Sequence, residues 1–243
     1  MIRRIARLIK LLGKDGSRGR SFRFRRKALP LEESDRNIAR LLNLREYTKT
    51  SQTPYSAKSY DAGYHTLSLN GVVISGQRDP ALRLQNVPFE FSGKTVLDIG
   101  CNQGGMLHCF EGQLKKGIGI DFDYRQINAA NLLNELRGDA SLQFYVFDLE
   151  RDPLDLIEDF LPGPRVDIVF LLSVCMWISN WRDVIKKCAE LSDALLFESN
   201  GSKEQQKQQI QCLHKTYPSV SLLADSSEDD PNKKARKLYL CRM

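Results

Sequence analysis

The sequence predicts an α/β fold: a mostly parallel sheet with helices on both faces, an antiparallel last strand and a helical N-terminal extension. Three observations predict it. From residue 94 onward, short apolar or β-branched runs alternate with helical periodicity, the signature of parallel strands joined by crossover helices. Residues 94–106, Lys-Thr-Val-Leu-Asp-Ile-Gly-Cys-Asn-Gln-Gly-Gly-Met, run from a strand through a glycine break into a helical start. Finally, the last two strand-like runs are joined by residues 225–234, an acidic link with no helical pattern. A helix-free link does not easily cross over to a parallel neighbour, so this pair should be antiparallel.

The 243 residues divide into a basic arm over 1–27, a helical and lid region over 28–90, and the α/β domain over 91–243. In the arm, Ile2, Ile5, Ala6, Ile9 and Leu12 share one helical face, and Arg3, Arg4, Arg7, Lys10 and Lys14 crowd the other. Residues 1–27 hold eleven Lys/Arg and one acid, a net of +10 against +6 for the whole chain, so the remainder sums to −4. The basicity is therefore a local device rather than a coat spread over the domain. No apolar run in the arm is long enough for a membrane span or a secretory core. A basic amphipathic helix suits an anionic membrane surface; the alternative is that it docks on the protein's own core. Residues 13–27 add Phe22 and Phe24 among the cations, a pattern that also fits the phosphates and bases of RNA.

Residues 31–46 show a second helical pattern through Ile38, Leu41, Leu42 and Leu44. A polar stretch with Tyr55, Tyr60, Tyr64 and His65 follows. Beyond it, strands are expected near 94–99, 116–121, 142–147, 166–172, 193–198, 218–223 and 236–241, and helices near 104–113, 124–137, 153–160, 180–190 and 202–215. Hydrophobic content of 42% suffices for a core. The six cysteines form no C-x-x-C pair, and with three histidines no zinc spacing appears, so no structural metal is expected. Unpaired, mostly apolar-flanked cysteines fit a reducing, cytoplasmic setting, with the arm at the inner membrane surface.

A strand–glycine turn–helix unit frees backbone N–H groups beside a helix start, which suits a polar or anionic ligand. Asp121 closes the next strand 21 residues after Gly100, the distance at which a carboxylate meets ribose hydroxyls. These features together predict a nucleoside-cofactor site.

The pattern resembles the class I S-adenosylmethionine-dependent methyltransferases, through residues 96–104 (Val-Leu-Asp-Ile-Gly-Cys-Asn-Gln-Gly), Gly119-Ile120-Asp121, Phe147-Asp148 and residues 166–173 (Val-Asp-Ile-Val-Phe-Leu-Leu-Ser). The resemblance implies a Rossmann-like seven-stranded sheet with one reversed strand, and S-adenosylmethionine as cofactor. Asn102 stands where the family's turn usually carries glycine; asparagine tolerates the left-handed backbone a tight turn needs. By the resemblance, Asp121 should accept from both ribose hydroxyls with Phe122 against adenine. Asp148 should accept from the adenine amino group, with the Leu149 N–H beside it. Gly100, Asn102 and Gln103 should line the methionine end, and Asp98 should brace the turn or the ammonium. Arg78 is expected on the methionine carboxylate by bidentate pairing, much as in some RNA wobble-uridine methyltransferases.

The acceptor should lie near residues 173–177 (Ser-Val-Cys-Met-Trp), with Ser173 at the cofactor boundary and Cys175 structural. His65 and Glu198 are the candidate general bases, should the acceptor need one. The acceptor itself is unknown. A lipid-linked or envelope glycan at the membrane surface is the first expectation, tRNA or another RNA the second, and a non-catalytic cofactor-binding module the third.

Overall fold

The computed structural model describes residues 33–49, 60, 62–69, 71–110, 112–230 and 235–243. The basic arm and Tyr55 lie outside the described residues.

Helix α1 (Glu33–Thr48) opens the described chain. Its residues Ile38, Leu41 and Leu42, spaced i, i+3, i+4, bury against Leu133. A hairpin follows, β1 (Leu67–Leu69) antiparallel to β2 (Val72–Ile74), turning at Gly71 with φ +74°. The expected strand list omits this hairpin, although an Asn-Gly pair between two short apolar runs is a strong turn signal. One turn of helix, α2 (Pro80–Leu84), is capped by the Asp79 carboxylate accepting from the Ala81 N–H.

The α/β domain then runs β3 (Thr95–Ile99), α3 (Gly105–His108), β4 (Lys116–Asp121), α4 (Tyr124–Arg137), β5 (Leu142–Val146), a 3-10 helix (Leu154–Phe160) and β6 (Ile168–Leu172). It finishes with α5 (Trp181–Leu191), β7 (Ala194–Glu198), α6 (Lys203–Thr216), β8 (Ser219–Ala224) and β9 (Leu238–Arg242). The seven-stranded sheet has the order β5-β4-β3-β6-β7-β9-β8. β9 alone runs against the other six strands, inserted between β7 and β8 and antiparallel to both. The link before β9 has no helical pattern in its sequence, and without a crossover helix the returning strand can pair only by reversal.

Along the central strands, alternate residues serve opposite faces. Leu97, Ile99, Val169 and Leu171 enter one core, and Val96, Ile168 and Phe170 the other. Burial on both faces explains why these strands read as continuous apolar runs. The chain winds outward from β3 through β4 to β5, then returns to place β6 on the other side of β3. This reversal leaves a crevice at the carboxyl ends of β3 and β6, where ligands of such sheets bind.

Two elements differ from expectation. The helix expected over 104–113 is one turn, because the Phe110 N–H bonds back three residues to the Leu107 carbonyl and tightens the end. Its dipole is correspondingly small, so the turn's own N–H groups must supply the polarity. The helix expected over 153–160 is 3-10, with Ile157 its buried residue, so little apolar packing supports a regular helix there.

Candidate functional site

After β3 the backbone is left-handed at Gly100 (φ +75°), Asn102 (φ 52°) and Gly104 (φ +70°). A Cβ on Gly100 would lie 2.6 Å from Val174 Cγ2, and one on Gly104 would collide with the Phe144 ring, so close packing also demands glycine. Asn102 takes the left-handed conformation that lets the turn close without a further glycine. The N–H groups of Gly100 and Cys101 both donate to the Ile120 carbonyl, at 2.8 and 3.0 Å. Asp121 locks the arrangement: its Oδ2 accepts from the Asn102 N–H and its Oδ1 from the Asp123 N–H, each at 2.9 Å.

Above this turn lies a cavity of about 620 Å³, at the carboxyl ends of the strands. Gly100, Asn102, Asp121, Phe122, Asp148, Leu149 and Ser173 line it, as do Tyr64, Gln77, Trp177 and Arg236. Phe122 is 46% and Trp177 43% exposed, leaving two aromatic surfaces at the cavity. Asp148 is braced by Asx geometry, its Oδ1 accepting from the Glu150 N–H at 3.0 Å. Ser173, with φ 61°, turns the chain at the end of β6.

Five predicted site residues lie off the cavity wall, in two buried polar regions. The first is an ion cluster. Arg78 donates from Nε and Nη2 to Asp229 at 2.7 and 2.8 Å, and from Nη2 to Glu198 at 2.9 Å. Arg83 pairs with the other Glu198 oxygen at 2.7 Å and with Asp229 at 3.4 Å. Ser173 Oγ and Ser227 Oγ also donate to Glu198. Burial alone would raise the Asp229 carboxyl, but Arg83 and Arg78 prevail and hold it below the ordinary range.

This cluster corrects two expectations. Arg78, expected on a ligand carboxylate, is fully buried and spends its fork on the protein's own carboxylates. Glu198, expected as a base, has both oxygens held by arginines and is 2% exposed.

The second region is the reverse: buried polar groups without partners. Arg45 is 1% exposed, and none of its three guanidinium nitrogens makes a hydrogen bond among the described residues. Burial lowers its pKa to about 9. Asp98 Oδ2, Asn102 Oδ1, both polar atoms of the Gln103 amide and both His65 ring nitrogens are likewise unpartnered. A Cβ on Gly63 would collide with the Arg45 guanidinium and lie 3.1 Å from Gln103 Nε2, so the two side chains converge. A Cβ on Gly105 would lie 2.5 Å from the His65 ring. Burial pushes Asp98 up to about 7 and Asp121 up to about 6. His65 falls well below its ordinary value through burial and then the nearby Arg83 and Arg78, so its ring is neutral and lies off the cavity wall.

Arg45, Gln77 and Arg236 are absent from the sequence-derived site. Arg45 carried a signal: with Ile38, Leu41 and Leu42 it completes an i, i+3, i+4, i+7 stripe, a charge on the apolar face. Gln77 and Arg236 carried none. Cys175, read as structural, is buried, and burial pushes its thiol well above the ordinary range. The described residues contain no helix long and apolar enough to cross a membrane.

Residues 97–193 match the family model described as a methyltransferase domain. No curated protein matches the chain in sequence. Among solved structures, the chain is similar to EvdMO1 at 14% identity and TM-score 0.55, covering 73% of this chain but only 43% of that one. It also matches the N-terminal domain of EvdMO1, solved in the presence of SAH and D-fucose, at 12% identity and TM-score 0.56, covering 82% and 96%. A precorrin 8W decarboxylase of Methanobacterium thermoautotrophicum matches at 12% identity and TM-score 0.50, over 68% and 89%. At these identities the structures speak for the fold. The family match over residues 97–193 and the sheet order support the expected class I S-adenosylmethionine-dependent methyltransferase domain.

Proposed function

We propose that the protein transfers the methyl group of S-adenosylmethionine to an oxygen or nitrogen of a sugar-bearing acceptor. The observation that carries this reading is that Asn102 belongs to both sets: it lines the cavity with Asp121 and Asp148, and its Oδ1 is one of the unpartnered buried atoms that also include those of Arg45, Asp98 and Gln103. Buried polar atoms without partners cost about 1–3 kcal/mol each, more when charged. A zwitterionic amino-acid group answers that need: its carboxylate fits Arg45, and its ammonium fits Asp98 and the Gln103 carbonyl oxygen. The ribose fits Asp121, and adenine fits Phe122, Asp148 and the Leu149 N–H. Arg45 thereby takes the role expected of Arg78.

The sulfonium of the bound cofactor supplies an activated methyl group on a good leaving group. The chain's own contribution is then to align the acceptor and exclude water, which carries most of the acceleration in such a transfer. Ser173 and Trp177 stand at the end of β6 and just beyond it, facing the cavity that both partners must share. The sugar reading is supported by Trp177, an aromatic residue 43% exposed on the cavity wall, and by the likeness in fold to a domain solved with D-fucose. The eleven basic residues of the arm support placement at an anionic membrane surface on a lipid-linked glycan. Arg78, one motive for the RNA alternative, is enclosed in the ion cluster and adds nothing to it.

Calorimetric titration with S-adenosylmethionine tests the donor half. Asp121→Ala should weaken binding at least tenfold, since it strands two ribose hydroxyls and frees the Asn102 N–H; unchanged affinity would sink the assignment. Liposome flotation with and without residues 1–27 tests the membrane half, and equal recovery in the soluble fraction would discard it.

A further inference from the structure

Three arginines meet around Ser173 and Glu198, and they are not equivalent. Arg78 and Arg83 are buried, and between them they hold both oxygens of Glu198 and the Asp229 carboxylate. Arg236 differs. It lines the cavity, and its side chain is 16% exposed. Its Nη1 donates to Ser173 Oγ at 3.1 Å and lies only within 3.9 Å of Glu198 Oε2, which Arg83 and Ser173 already hold. Nε and Nη2 of Arg236 donate to no group among the described residues. Toward the described residues, Arg236 is therefore an anchored guanidinium whose fork is mostly unspent.

Its surroundings are donors as well. Tyr64 Oη accepts from Arg78 Nη1 at 3.4 Å, which leaves its own O–H proton to donate. Gln77 shares the cavity wall, its amide on Asp230 at 3.5 Å. The carboxylates on that wall, Asp121, Asp148 and Glu150, all come from the ends of β4 and β5. Ser173 and Arg236 come from the end of β6 and the start of β9, across β3 in the sheet order. Arg151 shares the carboxylate end, its Nε 3.5 Å from Asp148 Oδ2, so three carboxylates and one cation stand at one end of the cavity and donors that include Arg236 at the other.

We propose that the methyl acceptor carries an oxyanion, a phosphate or carboxylate group, and that Arg236 binds it with support from Tyr64. A planar guanidinium offers paired N–H groups matched to such an oxyanion, where a lone hydroxyl would use only one of them. Ser173 orients the guanidinium through the single bond it takes, so it is a positioning residue. This inference rests on the donor-site reading above and deepens it.

The test uses the full chain saturated with S-adenosylhomocysteine, titrated calorimetrically with glucose 1-phosphate, glucuronate and glucose at constant ionic strength. At least one of the two anionic sugars should bind at least tenfold more tightly than glucose. Which of the two binds more tightly separates a phosphate acceptor from a carboxylate one. Arg236→Gln should abolish the preference while S-adenosylhomocysteine affinity stays within about twofold, and Arg236→Lys, a point charge without the fork, should keep part of it. Glucose binding as tightly as both anions, or a preference that survives Arg236→Gln, would overturn the proposal. Should Arg236→Gln also lose S-adenosylhomocysteine, the decision passes to Arg236→Lys, where an undiminished preference counts against it. Failure of the wild type to bind S-adenosylhomocysteine would instead break the donor-site reading, and this inference with it.

Discussion

Two buried polar regions sit side by side under the N-terminal elements, and they differ in one respect. Around Arg78, Arg83, Glu198 and Asp229, the charges answer one another at 2.7 to 3.4 Å. Around Arg45, Asp98, Gln103 and His65, buried polar atoms answer nothing among the described residues. A saturated cluster is scaffold, because a ligand entering it would have to break bonds already made. An unsaturated one is a site, because only a ligand or water recovers the desolvation already spent. The difference also explains how the same residue type takes opposite roles in two places.

Four substitutions sharpen or break the comparison. The largest effect should come from Asp229→Ala, which leaves Arg78 and Arg83 sharing one carboxylate in the interior. Breaking a buried pair by removing one partner costs about 3–5 kcal/mol, read by urea denaturation; a loss below about 1 kcal/mol would mean that the cluster is not the scaffold. Arg45→Met should weaken S-adenosylmethionine roughly ten- to a hundredfold, the scale of a charged hydrogen bond. Ligand-free stability should meanwhile hold or rise, since an unanswered buried cation is removed. Unchanged affinity would refute the site, and a large stability loss would show that Arg45 belongs to the scaffold.

The third effect is pH-dependent. Burial holds Asp98 near 7 and Asp121 near 6 against an ordinary 3.8, so the native state keeps protons that the unfolded chain releases. Raised carboxyl values mean that this stability is complete below the unfolded value and is lost as pH rises through 6 to 7. Asp229 is lowered, so its contribution is present above the unfolded value and lost only in stronger acid, a separate window. Ligand-free protein should therefore melt higher at about pH 5 than at about pH 8, and Asp98→Asn should flatten the slope, by about 2–4 °C for each kcal/mol recovered. An unaltered slope in Asp98→Asn would remove Asp98 as its source. As a baseline, Asp183→Ala breaks the surface pair with Lys186 at 3.1 Å, where both side chains are about two-thirds exposed. It should cost under about 0.5 kcal/mol, and a larger loss in the melt would undo the contrast between buried and surface charge.

Much of this fold is legible in the residues. Strands β3 to β9 fall within about two residues of their expected bounds, and β9 is reversed as the absence of a helical pattern before it predicts. Asn102 takes the left-handed turn that its side chain tolerates. The site is legible where one strand end carries its own function: Asp121, Asp148 and Ser173 reach the cavity because strand register places them there. Arg78 shows where reading fails. A guanidinium fork fits a ligand carboxylate and a protein carboxylate equally well, and its partner Asp229 lies 151 residues away in the chain.

By itself, then, the sequence determined the sheet, its reversed strand, the glycine turn and the acidic strand ends. Each is a matter of local backbone preference and side-chain periodicity. Only the tertiary structure decided which buried charges neutralise one another and which are left waiting, because groups from 78, 83, 198 and 229 meet only after the chain has folded back on itself. Saturation belongs to the assembled neighbourhood of a residue, and here it separates the scaffold from the site.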